Sequence, residues 1–439
     1  MRLRLYVSIF LFFSGFHLAF CQEEVTLEQV VGLALEKNYD VRIARNLTKS
    51  ASTNNDYVVG AFLPQVTAGA ATVWNENEQN LRFQDESRNN SGEAESNNIS
   101  GSVQLTWTLF DGTRMFSTRE RISQLAEQSE LALKDQMVNT IALIINNYYD
   151  IVRQKQQLLA IQEQMSVSEE RVKLAEKKLQ VGTGIKPELL QAKVDYNAQR
   201  AQMLQQETII AQLKEQLNNI VGLQLPAVYD VADTIIIDLN LRPDESFDNL
   251  DNTNYSLLAA RRNLSIANLS LRERRAEYLP FFNFNAAYNF SRNDNTKQIN
   301  PFGPVYSQTQ GFNYGFSVTL PILTGFNTRR LAQLAKIEID RQQLLYDQQR
   351  NTVNVDLHNA FINYDNAKSI LMIEEETIGL AKENVYIALE SFKRGVNTFI
   401  ELRTAQQSLA EAYNRLISAR FNAKLAETEL LRLNGSLLQ

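Results

Sequence analysis

The side chains best able to do chemistry are scarce in this sequence. The only cysteine is Cys21 and the only histidines are His17 and His358, so there is no disulfide framework, thiol couple or Cys/His metal cluster. His358 sits in a helical stretch with no second ligand nearby and reads as an ordinary packed or surface residue. The run Gly182-Thr183-Gly184-Ile185-Lys186 has the composition of a phosphate loop, but it lacks the required spacing and follows no strand. No nucleophile stands beside a base, so the chain reads as neither an enzyme nor a holder of cofactor or metal. Two acids remain of interest. Glu188 and Glu401 each lie six residues after a glycine, Gly182 and Gly395, at the start of a helical stretch. Pro187-Glu188 suits a first turn, and Thr398 to Glu401 has the spacing of a capping box, so both acids complement a helix dipole. The cations Lys173, Lys177, Lys178, Lys186, Lys393 and Arg394, near the same glycines, read as a solvated face.

The elements that carry these residues come from a duplication. At an offset of 213, Tyr148 pairs with Phe361, Gly182 with Gly395, Glu188 with Glu401, Leu189 with Leu402, Ala192 with Ala405 and Gly222 with Gly435. At an offset of 216, Asn38-Tyr39 pairs with Asn254-Tyr255 and Leu63-Pro64 with Leu279-Pro280. A period this long marks a doubled domain and not a solenoid. The division is a leader at 1–21, a first repeat at 22–222, a linker at 223–252 and a second repeat at 253–439.

Each repeat changes period. Phe282, Phe284, Ala286, Tyr288 and Phe290 alternate with polar or small residues, as do Phe312, Tyr314, Phe316, Val318 and Leu320. In the first repeat, Val103, Leu105, Trp107 and Leu109 do the same, with a weaker strand at Val66, Ala68, Ala70, Thr72 and Trp74. The polar segments Asn75 to Asn98 and Arg292 to Gln310 are expected as long hairpin loops. After each strand pair the pattern turns helical: Thr113 to Val181 holds neither glycine nor proline, and Phe326 to Arg394 holds only Gly379. Each such helix would run roughly 100 Å at 1.5 Å per residue, too long for burial in a compact domain. Shorter return helices follow, from Pro187 to Val221 and Thr398 to Asn434, each closed by a glycine.

Arg2 and Arg4 before an apolar stretch ending at Ala19-Phe20-Cys21 read as an export leader, with Gln22 as the mature first residue and lipid modification of Cys21 as the alternative. No later run is long and apolar enough for a membrane helix. The formal charge of −6 argues against nucleic acid. Strands with one aromatic-rich face and one polar face suit a lipid-facing barrel, although a sheet over a hidden core would alternate in the same way. Four strands cannot close a barrel, so several copies must share one.

These features together resemble the TolC-like outer-membrane efflux proteins, from Thr26-Leu27, Ala34-Leu35 and Asn38-Tyr39, through Leu109-Phe110-Asp111-Gly112, to the turns at Gly182 and Gly395. The resemblance implies a mixed fold of transmembrane β and very long antiparallel helices. It further implies a homotrimer whose protomers share a 12-stranded barrel embedded in outer-membrane lipid, above an α-helical tunnel in the periplasm. It implies passive export from a periplasmic adaptor and an inner-membrane pump of the RND or ABC type, in efflux or type I secretion. Val181-Gly182-Thr183 matches the family's adaptor-docking tip, and Gly395 marks the second tip in a departing sequence, Arg394-Gly395-Val396-Asn397-Thr398. Glu188 and Glu401 fall at the family's acidic constriction, where a ring of copies would draw cations. Thr404, Phe392 and Asn397 replace the family's second acid, tip tyrosine and tip arginine. The competing expectation is a trimeric coiled-coil spacer or adhesin with a soluble β head.

Overall fold

The computed structural model describes residues 23–223, 225, 229–232, 234–241 and 250–438. The expected leader, Cys21 and Gln22 lie outside the described residues, as does part of the expected linker. Helix α1 (Leu27–Lys37) opens on a capping box in which Thr26 Oγ1 accepts from the Gln29 amide and Gln29 Oε1 accepts from the Thr26 amide. It is followed by α2 (Tyr39–Tyr57). The two long helices are α3 (Arg114–Gln180) and α6 (Asn327–Lys393), each of 67 residues, and Gly379 does not interrupt the second. Their return partners are α4 (Lys186–Val221) and α7 (Phe399–Leu433). Helix α5 (Tyr255–Ala276) occupies in the second repeat the place of α2 in the first.

Strand β1 (Glu23–Glu24) pairs in parallel with β4 (Tyr229–Asp230). The main sheet is antiparallel in the order β2 (Gln65–Leu81), β3 (Asn90–Asp111), β5 (Phe281–Lys297), β6 (Tyr306–Thr319). Directly opposed residues share a face, and the register places Val66, Leu105, Ala286 and Tyr314 in one row and Ala68, Val103, Tyr288 and Phe312 in the next. Rings meet across this face, Phe284 with Phe316 at 5.1 Å and Tyr288 with Phe312 at 4.8 Å. The other face carries Thr67, Ser102, Gln104, Asn285, Asn289, Asn313 and Ser317, all uncharged, and Asn285 donates across it to Ser317 Oγ at 3.2 Å.

The expected long hairpin loops are corrected to short ones. Asn75–Leu81 and Asn90–Ser96 continue the β2–β3 ladder, leaving 82–89 as the connection, and Arg292–Lys297 and Tyr306–Gln310 extend β5 and β6, leaving 298–305. Past the apolar rows the residues are polar on both faces, which erases the alternation while the backbone goes on pairing. Glu76 there faces Glu95 and Glu78 faces Glu93, an unfavourable opposition that Lys297 relieves by pairing with Glu93 and Glu95.

The chain forms two compact units, each drawn from both repeats. The first comprises the segment through Tyr39, Asn139–Leu241 and Ala360–Leu430. In it the linker between repeats is held by matching groups on both long helices. Tyr148 is fully buried; its hydroxyl donates to Val25 O at 3.0 Å and accepts from the Ala232 amide at 3.1 Å, while Lys155 donates to Val231 O at 3.0 Å and pairs with Asp230 at 2.6 Å. On α6, Tyr364 donates to Asp238 O and Lys368 to Leu239 O, each at 2.6 Å. The second unit comprises Asp40–Val138, Arg242–Asn359 and Leu431–Gln439, and contains the main sheet. Each repeat also closes on an asparagine. Asn38 Nδ2 donates to Ile220 O at 2.6 Å in the first unit, and Asn254 Nδ2 to Leu433 O at 2.9 Å in the second.

Candidate functional site

Both expected tip turns lie in the first unit and are built alike. Gly182 and Gly395 take φ of +79° and +75°, the left-handed conformation glycine adopts without cost. The chain folds back onto the helix it has left: the Thr183 and Gly184 amides donate to Lys178 O, each at 2.9 Å, and the Val396 amide donates to Ser391 O at 2.9 Å. A side chain added at either Gly182 or Gly395 would meet nothing within 4 Å, and Val181 and Val396 are more than 70% exposed. The tips therefore present bare apolar groups that no described residue covers. Gly184 is different, because a Cβ there would stand 2.9 Å from Lys178 Cβ and from the Leu179 amide nitrogen.

Two of the six basic residues near the tips hold acid partners. Lys173 binds Glu169 at 2.7 Å, which raises its pKa, and Lys393 binds Glu390 at 2.9 Å with the same effect. Lys178 stands 4.1 Å from the Phe392 ring centroid. Phe392 is buried with Val385, Ala388, Leu402 and Ala405 in the core of the second hairpin. Thr404 turns its hydroxyl back to Ile400 O at 3.0 Å.

The two glutamates differ. Glu401 completes the expected capping box: its Oε2 accepts from the Thr398 amide at 2.7 Å while Thr398 Oγ1 accepts from the Glu401 amide at 3.3 Å. Glu188 follows an N-cap, Ile185, that offers no side-chain acceptor, and its carboxylate makes no hydrogen bond or ion pair with a described residue.

Behind the tips lies a cluster that the sequence did not reveal. Arg171 on α3 is 6% exposed and donates to Asp195 Oδ2 on α4 at 2.6 Å and to Gln406 Oε1 on α7 at 3.2 Å, with the Phe399 ring 4.9 Å away. Arg403 Nε on α7 lies 3.8 Å from the same Asp195 oxygen, so one carboxylate ties both helix hairpins. The cluster borders a cavity of about 640 Å³ lined also by Gln199, Lys382 and Tyr386. Tyr413 on its wall donates to Glu163 at 2.6 Å; burial, and then that carboxylate, push its phenol pKa up. Arg171 and Asp195 are 24 residues apart and Arg403 is 208 beyond Asp195, with no motif linking them. Among the described residues no group of His, Cys, Asp and Glu could hold a metal ion, and no helix is long and apolar enough to cross a membrane.

The comparisons point one way. The family described as "Outer membrane efflux protein" matches residues 30–223 and 248–436. Outer membrane protein TolC of Vibrio cholerae is 22% identical over 383 residues, 86% of this chain and 83% of that protein. Alkaline protease secretion protein AprF of Pseudomonas aeruginosa is 21% identical over 330 residues, 73% of this chain and 66% of that one. Among solved structures, the Campylobacter jejuni CmeC outer membrane channel superposes with a TM-score of 0.79 at 16% identity, covering 93% of this chain and 85% of that chain.

Proposed function

This chain belongs to the outer membrane efflux protein family, and on that premise we propose that it is the last conduit of a three-part exporter, fed by a periplasmic adaptor and an inner-membrane pump. Membership makes it an outer-membrane exit duct and not an enzyme, with its helical part in the periplasm. The observation that carries the finer reading is the main sheet. Over the aromatic-rich rows one face is apolar and the other uncharged and polar, and the outer edges of β2 and β6 have no strand partner among the described residues. Lipid can cover the first face and water the second, but neither bilayer nor core can satisfy open edges. Three copies would supply twelve strands, enough for a closed barrel. This arrangement favours the duct over a soluble β head, whose apolar face would need a protein cover that no described residue provides.

In this reading the tips at Val181, Gly182, Thr183 and Gly395 receive the adaptor, since they are exposed, apolar and fixed in shape. Glu188 and Glu401 form acidic rings near the periplasmic end, with Glu188 contributing more because Glu401 is engaged in its cap. Single-channel recording in planar bilayers tests this. Glu188→Gln should lower cation preference more than Glu401→Gln does. A double variant with unchanged selectivity would leave both residues as helix caps.

A further inference from the structure

The cavity behind the tips is incomplete as packing, and its lining shows what would complete it. All of its lining residues belong to the first unit, and α3, α4, α6 and α7 each present it one face. Two links between α3 and α7 set its length. Glu163 accepts from Tyr413 at one end, and Arg171 donates to Gln406 at the other. The links stand eight residues apart on α3 and seven on α7, which is roughly 11 Å at 1.5 Å per residue. Between them the wall is apolar, with Val167, Val385, Leu389 and Leu409, the last three continuous with the core of the second hairpin. The tip residues Val181, Gly182, Thr183 and Gly395 do not line it, nor do Glu188 and Glu401.

The two ends are polar in different ways. At the Arg171 end, Arg171 and Arg403 share the one carboxylate of Asp195, which leaves an excess of positive charge. Arg171 Nε and Gln406 Nε2 are shut off from solvent there and have no hydrogen-bond partner. Both are donors, because Gln406 Oε1 is the atom that accepts from Arg171. One turn along α4 from Asp195, Gln199 Oε1 is a buried acceptor in the same condition. Buried polar atoms left unpaired are destabilising, and three of them fall on the lining of this one cavity. At the other end, Lys382 lies 5.2 Å from the Tyr413 ring centroid and pairs with no acid among the described residues. Three cations thus face two acids, Asp195 and Glu163, both already engaged.

We propose that this cavity binds a small amphipathic organic anion, its carboxylate at the end bounded by Arg171, Arg403 and Gln406 and its apolar body against Val385, Leu389 and Leu409. A volume of about 640 Å³ suits a molecule of drug size, and Tyr386 on the lining is 69% exposed, which leaves a way in from solvent. An anion answers both the charge excess and the free donors. A cation would be repelled by Arg171 and Arg403, and a neutral apolar molecule would leave the donors unpaired. The terminal torsion of glutamine is broad, so the Gln199 and Gln406 amides turn towards a ligand at little cost. Because its walls come from both helix hairpins, the bound anion bridges them.

The test is equilibrium dialysis of the intact, detergent-extracted protein against 2-naphthoate, with the same detergent on both sides so that uptake by micelles cancels. The parent should take up 2-naphthoate saturably, one molecule per chain, and should bind 2-naphthalenemethanol, which has the same ring without the charge, at least about tenfold more weakly. Arg403→Met changes a half-exposed side chain and leaves Arg171 its carboxylate; it should weaken 2-naphthoate about tenfold and leave the alcohol unchanged. Ala198→Trp, at an exposed position of the lining, should fill the cavity and abolish uptake of both while the heat-resistant oligomer stays at the parent's level. Absence of saturable uptake by the parent overturns the site. Uptake that survives Ala198→Trp places binding elsewhere and overturns it too. Equal or tighter binding of the alcohol or of 2-naphthylmethylammonium overturns the assignment of an anion. If Ala198→Trp disturbs the oligomer, Arg403→Met decides alone, since a loss shared by both ligands, or no loss, contradicts a carboxylate held at that end.

Discussion

Replacing Gly182 separates what the tip does for the fold from what it does for export. The residue takes φ of +79° with free space around its missing Cβ, so alanine there meets only the backbone penalty of the left-handed region, about 1–2 kcal/mol. Gly222, at φ of +75°, has the same backbone but would place a Cβ 2.8 Å from Lys37 O, and the forced shift adds roughly 1–3 kcal/mol. Asparagine tolerates the left-handed region best after glycine, so Gly182→Asn should leave the hairpin nearly as stable as the parent. The assay reads two quantities from one set of cells: the amount of heat-resistant oligomer, and export of a dye or secreted substrate. Gly182→Asn and Gly182→Ala should keep the oligomer and impair export, Gly182→Val should abolish export, and Gly222→Ala should lose oligomer first. Export that falls only in proportion to oligomer across all four variants would refute adaptor docking at this tip and leave Gly182 as a turn residue.

Three further outcomes are expected. Asp195→Ala strands the Arg171 guanidinium; breaking a buried pair costs about 3–5 kcal/mol, but Gln406 and the Phe399 ring remain and Asp195 is partly solvated, so a loss of about 2–3 kcal/mol should appear in thermal unfolding, against almost none for Glu169→Ala, whose partner Lys173 is exposed. Tyr148→Phe leaves Val25 O and the Ala232 amide without their partner, costing about 1–3 kcal/mol, and should show as faster hydrogen exchange at 229–232 with the amides of the four-stranded main sheet unchanged. Burial pushes the Tyr229 phenol up to about 12 from an ordinary value of 10; a raised value means this contribution to stability is intact below pH 10 and is lost as pH rises from 10 towards 12, so Tyr229→Phe should flatten that part of the alkaline fall in melting temperature.

What the sequence made legible was whatever repeats locally. The helices from Arg114 and from Asn327 are long uninterrupted runs, and each ended within two residues of its expected place because glycine stops it. The strand at Phe282 to Phe290 alternates cleanly because lipid-type and water-type residues must occupy opposite faces. Asn75–Leu81 lost that signal, being polar on both sides, and was expected as loop although its backbone pairs as fully as the rest. Contacts between distant elements left no trace. Tyr148 reads as one more apolar position of α3, and only the fold shows that its hydroxyl bridges Val25 and Ala232. The Arg171, Asp195 and Arg403 cluster is invisible for the same reason, since each is an ordinary charged helix residue until the hairpins meet. Of the candidate site, the glycine turns and the Thr398–Glu401 cap were local and therefore readable. That Glu188 is the unengaged acid depended on Ile185 standing where a capping side chain is usually found.

The central claim is that four strands with two open edges are one part of a barrel closed by other copies. Light scattering on the protein in mild detergent, with the detergent mass separated from the protein mass, measures this directly. The account predicts a single species containing three copies of the chain, each 50.1 kDa before any processing. A monodisperse, folded monomer would contradict it.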